Sequence, residues 1–134
     1  MSSIVKSVQI EVDPDTAWEA LRDFGALHVR LARGFVADCR REGDDRIVTF
    51  ASGVTLRERL VAIDEERRTL AYTIVDGPYE HHHGVARVEE HDGGTLFEWT
   101  NYVLPEATAE PTATAMDAGL VAIKKTLEAT PRAS

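Results

Sequence analysis

Residues 45–63, DRIVTFASGVTLRERLVAI, decide the fold. They contain two β-rich runs, 45–51 and 54–63, joined at Ser52-Gly53, and turn residues at that spacing between alternating runs read as a hairpin. In the second run Thr55, Arg57, Arg59 and Val61 share one side, while Val54, Leu56, Glu58 and Leu60 share the other. Two arginines belong in water, so the alternation turns Glu58 toward the core.

Working outward, four more runs at 35–42, 68–76, 81–90 and 95–104 are set off by Gly43-Asp44, Asp64-Glu65-Glu66, Gly77-Pro78 and Asp92-Gly93-Gly94. That spacing predicts an antiparallel meander of six strands ending at Pro105. Upstream, residues 4–12 alternate as one more half-buried strand, and Asp13-Pro14 then changes the period. Asp13 suits a helix N-cap and Pro14 the first helical position; Ala17, Trp18, Leu21 and Phe24 follow at helical spacing, with Gly25 as the stop. A second short helix is expected around 26–32. Downstream, Ala109, Ala113, Met116, Leu120, Ile123 and Leu127 form one apolar stripe on a helix over about 110–129, with Pro111 in its first turn.

The expected fold is therefore α+β: a seven-stranded curved antiparallel sheet, two short helices between strands 1 and 2, and a long C-terminal helix over the concave face, in a single domain over 1–134. A helix is roughly 10 Å across and seven strands at about 4.8 Å spacing are much wider, so the concave face beside the helix has room for an apolar cavity. Small ligands bind in such places.

Composition narrows the function. The chain has 134 residues, 15 Lys+Arg against 23 Asp+Glu and a net charge of -8, with no basic block to neutralise a phosphate backbone, so no nucleic-acid partner is expected. No apolar stretch approaches the ~18 residues of a membrane span, and Met1-Ser2-Ser3 leads into a strand-like run rather than a secretion signal. Cys39 is the only cysteine, which excludes an intrachain disulfide and suits a reducing, cytoplasmic setting. A G-x-S-x-G elbow, a Gly-rich phosphate loop, an H-E-x-x-H pair and a cysteine pair are all missing from the sequence.

Strand parity selects the candidate lining. Phe35, Ala37 and Cys39, then Val48 and Phe50, then Leu56 and Glu58, share the inward side with Leu70, Tyr72 and Ile74. His82, Gly84, Ala86 and Val88 follow, then Phe97, Trp99, Asn101 and Val103, with Met116, Leu120 and Ile123 facing them from the helix. Glu58 is the sharpest feature, because a carboxylate on an apolar face is costly unless hydrogen-bonded, paired or protonated. It is either a ligand-contacting or proton-moving group, or a carboxylate satisfied by a nearby arginine, tyrosine or water. His81 and His83 share the other face of their strand at the spacing of a two-histidine metal clip, but no third or fourth ligand is identified and no metal site is expected. Cys39 reads as a packed, inert thiol.

Several stretches together resemble the START-like helix-grip proteins, the birch-pollen-allergen fold, and within them the polyketide cyclase/dehydrase and lipid-transport branch. They are Asp13-Pro14-Asp15-Thr16-Ala17-Trp18, the run Ser52 to Leu60, Asp64 before Arg67-Arg68, Tyr72, and Trp99 before Pro105. The stretch from Ser52 to Trp99 is also similar to plant abscisic-acid receptors, whose gate would correspond to Ser52-Gly53 and whose cavity-lining residue matches Glu58. Ala37 stands where those receptors have a carboxylate-binding lysine, so hormone sensing is not carried over. The resemblance implies a small hydrophobic ligand held by Ala37, Val48, Phe50, Leu56, Glu58, Tyr72, His82, Trp99, Asn101, Met116, Leu120 and Ile123. It also implies cyclase- or dehydratase-like chemistry in which Glu58, with His82 or Tyr72, handles protons, against a plain carrier, sensor or packed interaction module. No cofactor is expected, and free sheet edges leave room for a homodimer.

Overall fold

The computed structural model describes residues 1–131, so the last three residues of the domain expected over 1–134 lie outside the described residues. Strand β1 (Ser2–Ile10) leads to helix α1 (Pro14–Arg22), a 3-10 turn at Phe24–Ala26 and a π-turn at Leu27–Leu31. Strands β2 (Val36–Glu42), β3 (Asp45–Phe50), β4 (Thr55–Asp64), β5 (Thr69–Ile74), β6 (His81–His91) and β7 (Gly94–Leu104) follow, then a 3-10 turn at Glu106–Thr108 and helix α2 (Ala109–Glu128). The seven strands form one antiparallel sheet in the order β1-β7-β6-β5-β4-β3-β2. This is the helix-grip arrangement.

Local chemistry starts α1 where the sequence signals it. The Asp13 carboxylate accepts hydrogen bonds from the Thr16 amide at 3.0 Å and the Thr16 hydroxyl at 2.7 Å, and Pro14 opens α1. Trp18 Nε1 donates to Glu65 at 2.7 Å, which ties α1 to the β4–β5 turn. Helix α1 stops at Arg22, and the second short helix is the five-residue π-turn. In α2, Met116, Leu120, Ile123 and Leu127 are all buried, and each such burial is worth roughly 1.5–3 kcal/mol.

Alternation holds along most of the inner face, but Val54, which precedes β4, is exposed, and two bulges shift the parity. Ala37 is exposed, not inward, because the β2–β3 register jumps from Val36↔Phe50 to Asp38↔Thr49 and leaves Ala37 as the extra residue of a β-bulge. The bulge puts Val36 inside instead, and parity resumes at Cys39↔Val48. A second bulge falls at Val61, between Leu60↔Tyr72 and Ala62↔Ala71, so Ile63 packs on the core.

Helix α2 lies chiefly over β1 and the π-turn, then over β7. The inner faces of β3 to β5 depend on other cover. The Phe24 ring, in the 3-10 turn that follows α1, packs over the Arg46 guanidinium at 4.0 Å.

Candidate functional site

The inner face carries two polar groups in an apolar wall. On β3 and β4, Arg46 pairs directly opposite Glu58, and both are buried. Arg46 Nε and Nη2 reach Glu58 Oε1 at 2.8 and 2.7 Å, while Arg46 Nη1 donates to the Phe24 carbonyl at 3.1 Å. Arg46 is the partner that sequence reasoning left unnamed. It has the parity of Val48 and Phe50, so the alternation of β3 was the signal for it.

The second group lies on β5 to β7. The Ile74 amide donates to His82 Nδ1 at 3.0 Å, and His82 Nε2 lies 2.6 Å from Asn101 Oδ1. A backbone N–H can only donate, so Nδ1 is bare and the single proton of the neutral ring is on Nε2. Burial pushes the His82 pKa down to about 4; the Asn101 bond pulls the other way, and His83 and His81 add to the lowering. Trp99 Nε1 donates to the Tyr72 hydroxyl at 3.1 Å, and that hydroxyl lies 3.5 Å from Asn101 Oδ1. Burial, and then the Glu58 carboxylate, push the Tyr72 pKa well above that of a free phenol.

Two glycines make this packing fit. A Cβ on Gly84 would meet the Tyr72 ring at 2.4 Å, and one on Gly119 would meet Trp99 at 3.0 Å and Phe35 at 3.3 Å. Gly84 therefore seats Tyr72 flat against β6, and Gly119 lets α2 approach Trp99 and Phe35.

The structure brings most of the expected residues together. Val48, Glu58, Tyr72, His82 and Asn101 are buried on the inner face, and Met116, Leu120 and Ile123 are buried on α2. Phe50, Leu56 and Trp99 are half-buried, as are Phe35 and Ile74. The Phe35 and Phe50 rings meet edge to face at 5.4 Å. Tyr79 stacks against His82 at 5.1 Å, and its hydroxyl is 2.7 Å from that of Thr112 on α2, so the β5–β6 loop reaches across to the helix. Ala37 is excluded by the bulge.

Two depressions on the surface lie elsewhere. One, about 510 Å³, runs between β1 and α2 and takes in Val8, Leu120, Val121 and Lys124; the other, about 570 Å³, is bounded by Arg22, Phe24, Arg30 and Arg41. Of the expected lining only Leu120 borders either. His81 is exposed and His83 packs against Tyr102 at 6.2 Å, and among the described residues no cluster of three His, Cys, Asp or Glu side chains could hold a metal ion. Cys39 is buried near the Phe24 carbonyl, and desolvation raises its pKa, as befits an unreactive thiol. Among the described residues no helix is long and apolar enough to cross a membrane.

Both the sheet order and the placement of α2 define a helix-grip protein, and sequence comparison gives the family. The chain belongs to the polyketide cyclase/dehydrase and lipid transport family, whose model matches residues 1–128. Among solved structures it is similar to protein XoxI from Bacillus cereus, at 21% identity and TM-score 0.81 over 95% of this chain and 96% of that one. A Bacillus thuringiensis protein matches at 19% identity and TM-score 0.83, covering 94% and 98% of the two chains. A Thermobifida fusca protein matches at 25% identity and TM-score 0.72, covering 96% and 91%. These likenesses concern the fold. No curated protein matches the sequence.

Proposed function

We propose that this protein binds a small, mostly hydrophobic organic molecule between the inner face of β3–β7 and α2, as a carrier or sensor. One observation carries the reading. Phe35, Phe50, Leu56, Ile74 and Trp99 all lie on the inner side, yet each keeps part of its surface exposed. A packed-core module has no reason to leave a cluster of large inward side chains half covered.

Binding is favoured over acid–base catalysis by the state of the titratable groups. Arg46 answers the desolvation cost that first made Glu58 a candidate acid or base. The lone pair of His82 Nδ1 is already used by the Ile74 amide, so His82 can take a proton only by giving up that bond. His82 thus holds Asn101 in place.

The neutral fluorophore N-phenyl-1-naphthylamine tests the reading. It should bind saturably at one site per chain, and Ile74→Trp, which adds bulk to the half-buried inner face, should weaken it at least ~10-fold while leaving the melting temperature nearly unchanged. An absence of saturable binding, or binding indifferent to Ile74→Trp but abolished by a change at Val121 in the outer groove, would overturn it.

A further inference from the structure

We propose that the outward face of α2 is a self-association surface, on which a second copy of this chain packs its own α2 antiparallel across a twofold axis at Val121. The inference is independent of the ligand reading, and it places the contact between copies on a helix rather than on a sheet edge.

The surface is apolar at its centre. Val121 is the most exposed large apolar side chain among the described residues, at 71%, and it borders the groove of about 510 Å³ that Val8 and Leu120 also line. An apolar side chain that open, beside a partly apolar groove, marks a contact site.

Charge and spacing identify the occupant. Thr114, Asp117, Val121, Lys125 and Glu128 are all exposed, at steps of three, four, four and three residues, so they lie within about 40° of Val121 around the helix. In two helices packed antiparallel about Val121, a residue a given number of positions before it faces the partner's residue the same number after it. Asp117 then meets the partner's Lys125, and Lys125 meets the partner's Asp117. Thr114 likewise meets the partner's Glu128. The twofold repeats each contact, and no pair is of like charge.

The atoms these contacts need are open. Asp117 Oδ1 takes Lys6 Nζ at 2.8 Å, which leaves Oδ2 without a partner among the described residues. Lys125 Nζ has no partner among them either. Glu128 Oε2 is occupied by the Glu11 amide at 2.9 Å and by Lys124, while Glu128 Oε1 and the Thr114 hydroxyl are unpartnered among the described residues. Lys124 is held by the Gln9 carbonyl at 3.0 Å, so it does not compete with Lys125.

Two acids, Asp117 and Glu128, and two bases, Lys124 and Lys125, surround Val121, so this face is balanced although the chain carries -8. A nucleic acid or an anionic membrane gains nothing from such a face, whereas two copies can approach there without local repulsion. One helix face is small, so the dimer belongs to the weak class that buries less than about 1,200 Å² in total.

Sedimentation velocity on the unaltered protein between about 10 µM and about 1 mM should show monomer passing into dimer. Val121→Glu sets two carboxylates against each other on the axis and should weaken association at least ~10-fold, with the melting temperature unchanged because the site is exposed. Charge reversal separates this face from any other. Asp117→Lys and Lys125→Glu should each associate more weakly than the unaltered chain. An equimolar mixture of the two should form heterodimers at least ~5-fold more tightly than either variant associates alone, since both contacts regain opposite signs. Cross-linking reads the axis. Val121→Cys should close a disulfide between copies under mild oxidation, whereas Thr114→Cys, about 10 Å along the helix from the axis, should not. The native Cys39 is buried and stays out of this chemistry. A monomer throughout the concentration range, a dimer indifferent to Val121→Glu, a mixture no tighter than its parts, or equal cross-linking at the two cysteine positions would each overturn the inference. So would a monomer that takes up N-phenyl-1-naphthylamine in a Val121-dependent way, which would make the groove a small-molecule site.

Discussion

Two carboxylate–arginine groups lie back to back on β3 and β4. On the inner face Arg46 meets Glu58; one residue earlier, on the outer face, Asp45 pairs across from Arg59 and also takes a bond from Arg57 at 2.9 Å. The chemistry is the same and the surroundings are opposite. Arg46 and Glu58 are covered by the protein, including the Phe24 ring, so neither has water to fall back on when its partner is lost. Asp45 is covered mainly by its own arginines, which are 36% and 54% exposed and remain open to solvent. An ion pair therefore acts as a structural constraint on one side of this sheet and as a solvated surface network on the other.

The largest effect should come from breaking the inner pair on one side only. Arg46→Met leaves Glu58 buried without a counter-charge and should destabilise the fold by about 3–5 kcal/mol in urea titrations. The double variant Arg46→Met with Glu58→Leu should recover most of that loss, since it removes both desolvation costs. If the single and double variants lose equally, the pair is not the desolvated constraint described here.

Next in size is the pH response of His82. A neutral histidine with a folded pKa lowered to about 4 binds fewer protons than its unfolded form, whose pKa is near 6.5. The stability it supports is whole above pH ~6.5 and declines as pH falls toward ~4, by at most about 1.4 kcal/mol per pH unit. His82→Gln should flatten that limb of a stability-versus-pH curve. An unchanged limb would show that the ring is not held neutral.

Gly84→Ala should cost about 1–3 kcal/mol, because the new methyl group collides with the Tyr72 ring on a wall that cannot move freely. Thermal unfolding reads this, and loss of the Trp99 fluorescence signature should accompany it. A neutral outcome would mean that Tyr72 is free to shift.

The smallest effect belongs to the outer network. Bonds from Arg59 and then Arg57 hold the Asp45 pKa down to about 2, so its stabilisation is present above pH ~3.9, the unfolded value, and is lost as pH falls through ~2. Asp45→Asn should soften only this acid limb, with a deficit that shrinks in high salt, whereas the Arg46→Met deficit should be salt-insensitive. Equal salt sensitivity would erase the contrast between the two faces.

Legibility followed the same divide. Flanking arginines at 57 and 59 were enough to turn Glu58 inward, and the stripe through Met116, Leu120 and Ile123 was enough to lay α2 on the sheet. Asp13 and Pro14 announced α1 because capping involves atoms three residues apart. Ala37 was misplaced because strict alternation has no means to register a bulge, which depends on how β2 pairs with β3. Arg46 went unnamed because the cost of burying an arginine argues for water until a buried carboxylate twelve residues away is known to face it.

Local periodicity, turn residues and caps thus determined the order of elements and, at most positions, which side of the sheet each residue takes, since these depend on neighbours a few residues apart. Cross-strand register decided the rest: that Glu58 has an arginine partner, that His82 is the Nε2–H tautomer holding Asn101, and that Ala37 falls in a bulge outside the inner face. The energies of buried charges and hydrogen bonds turn on distances of a few ångströms between residues far apart in the chain, and only the folded structure sets those distances.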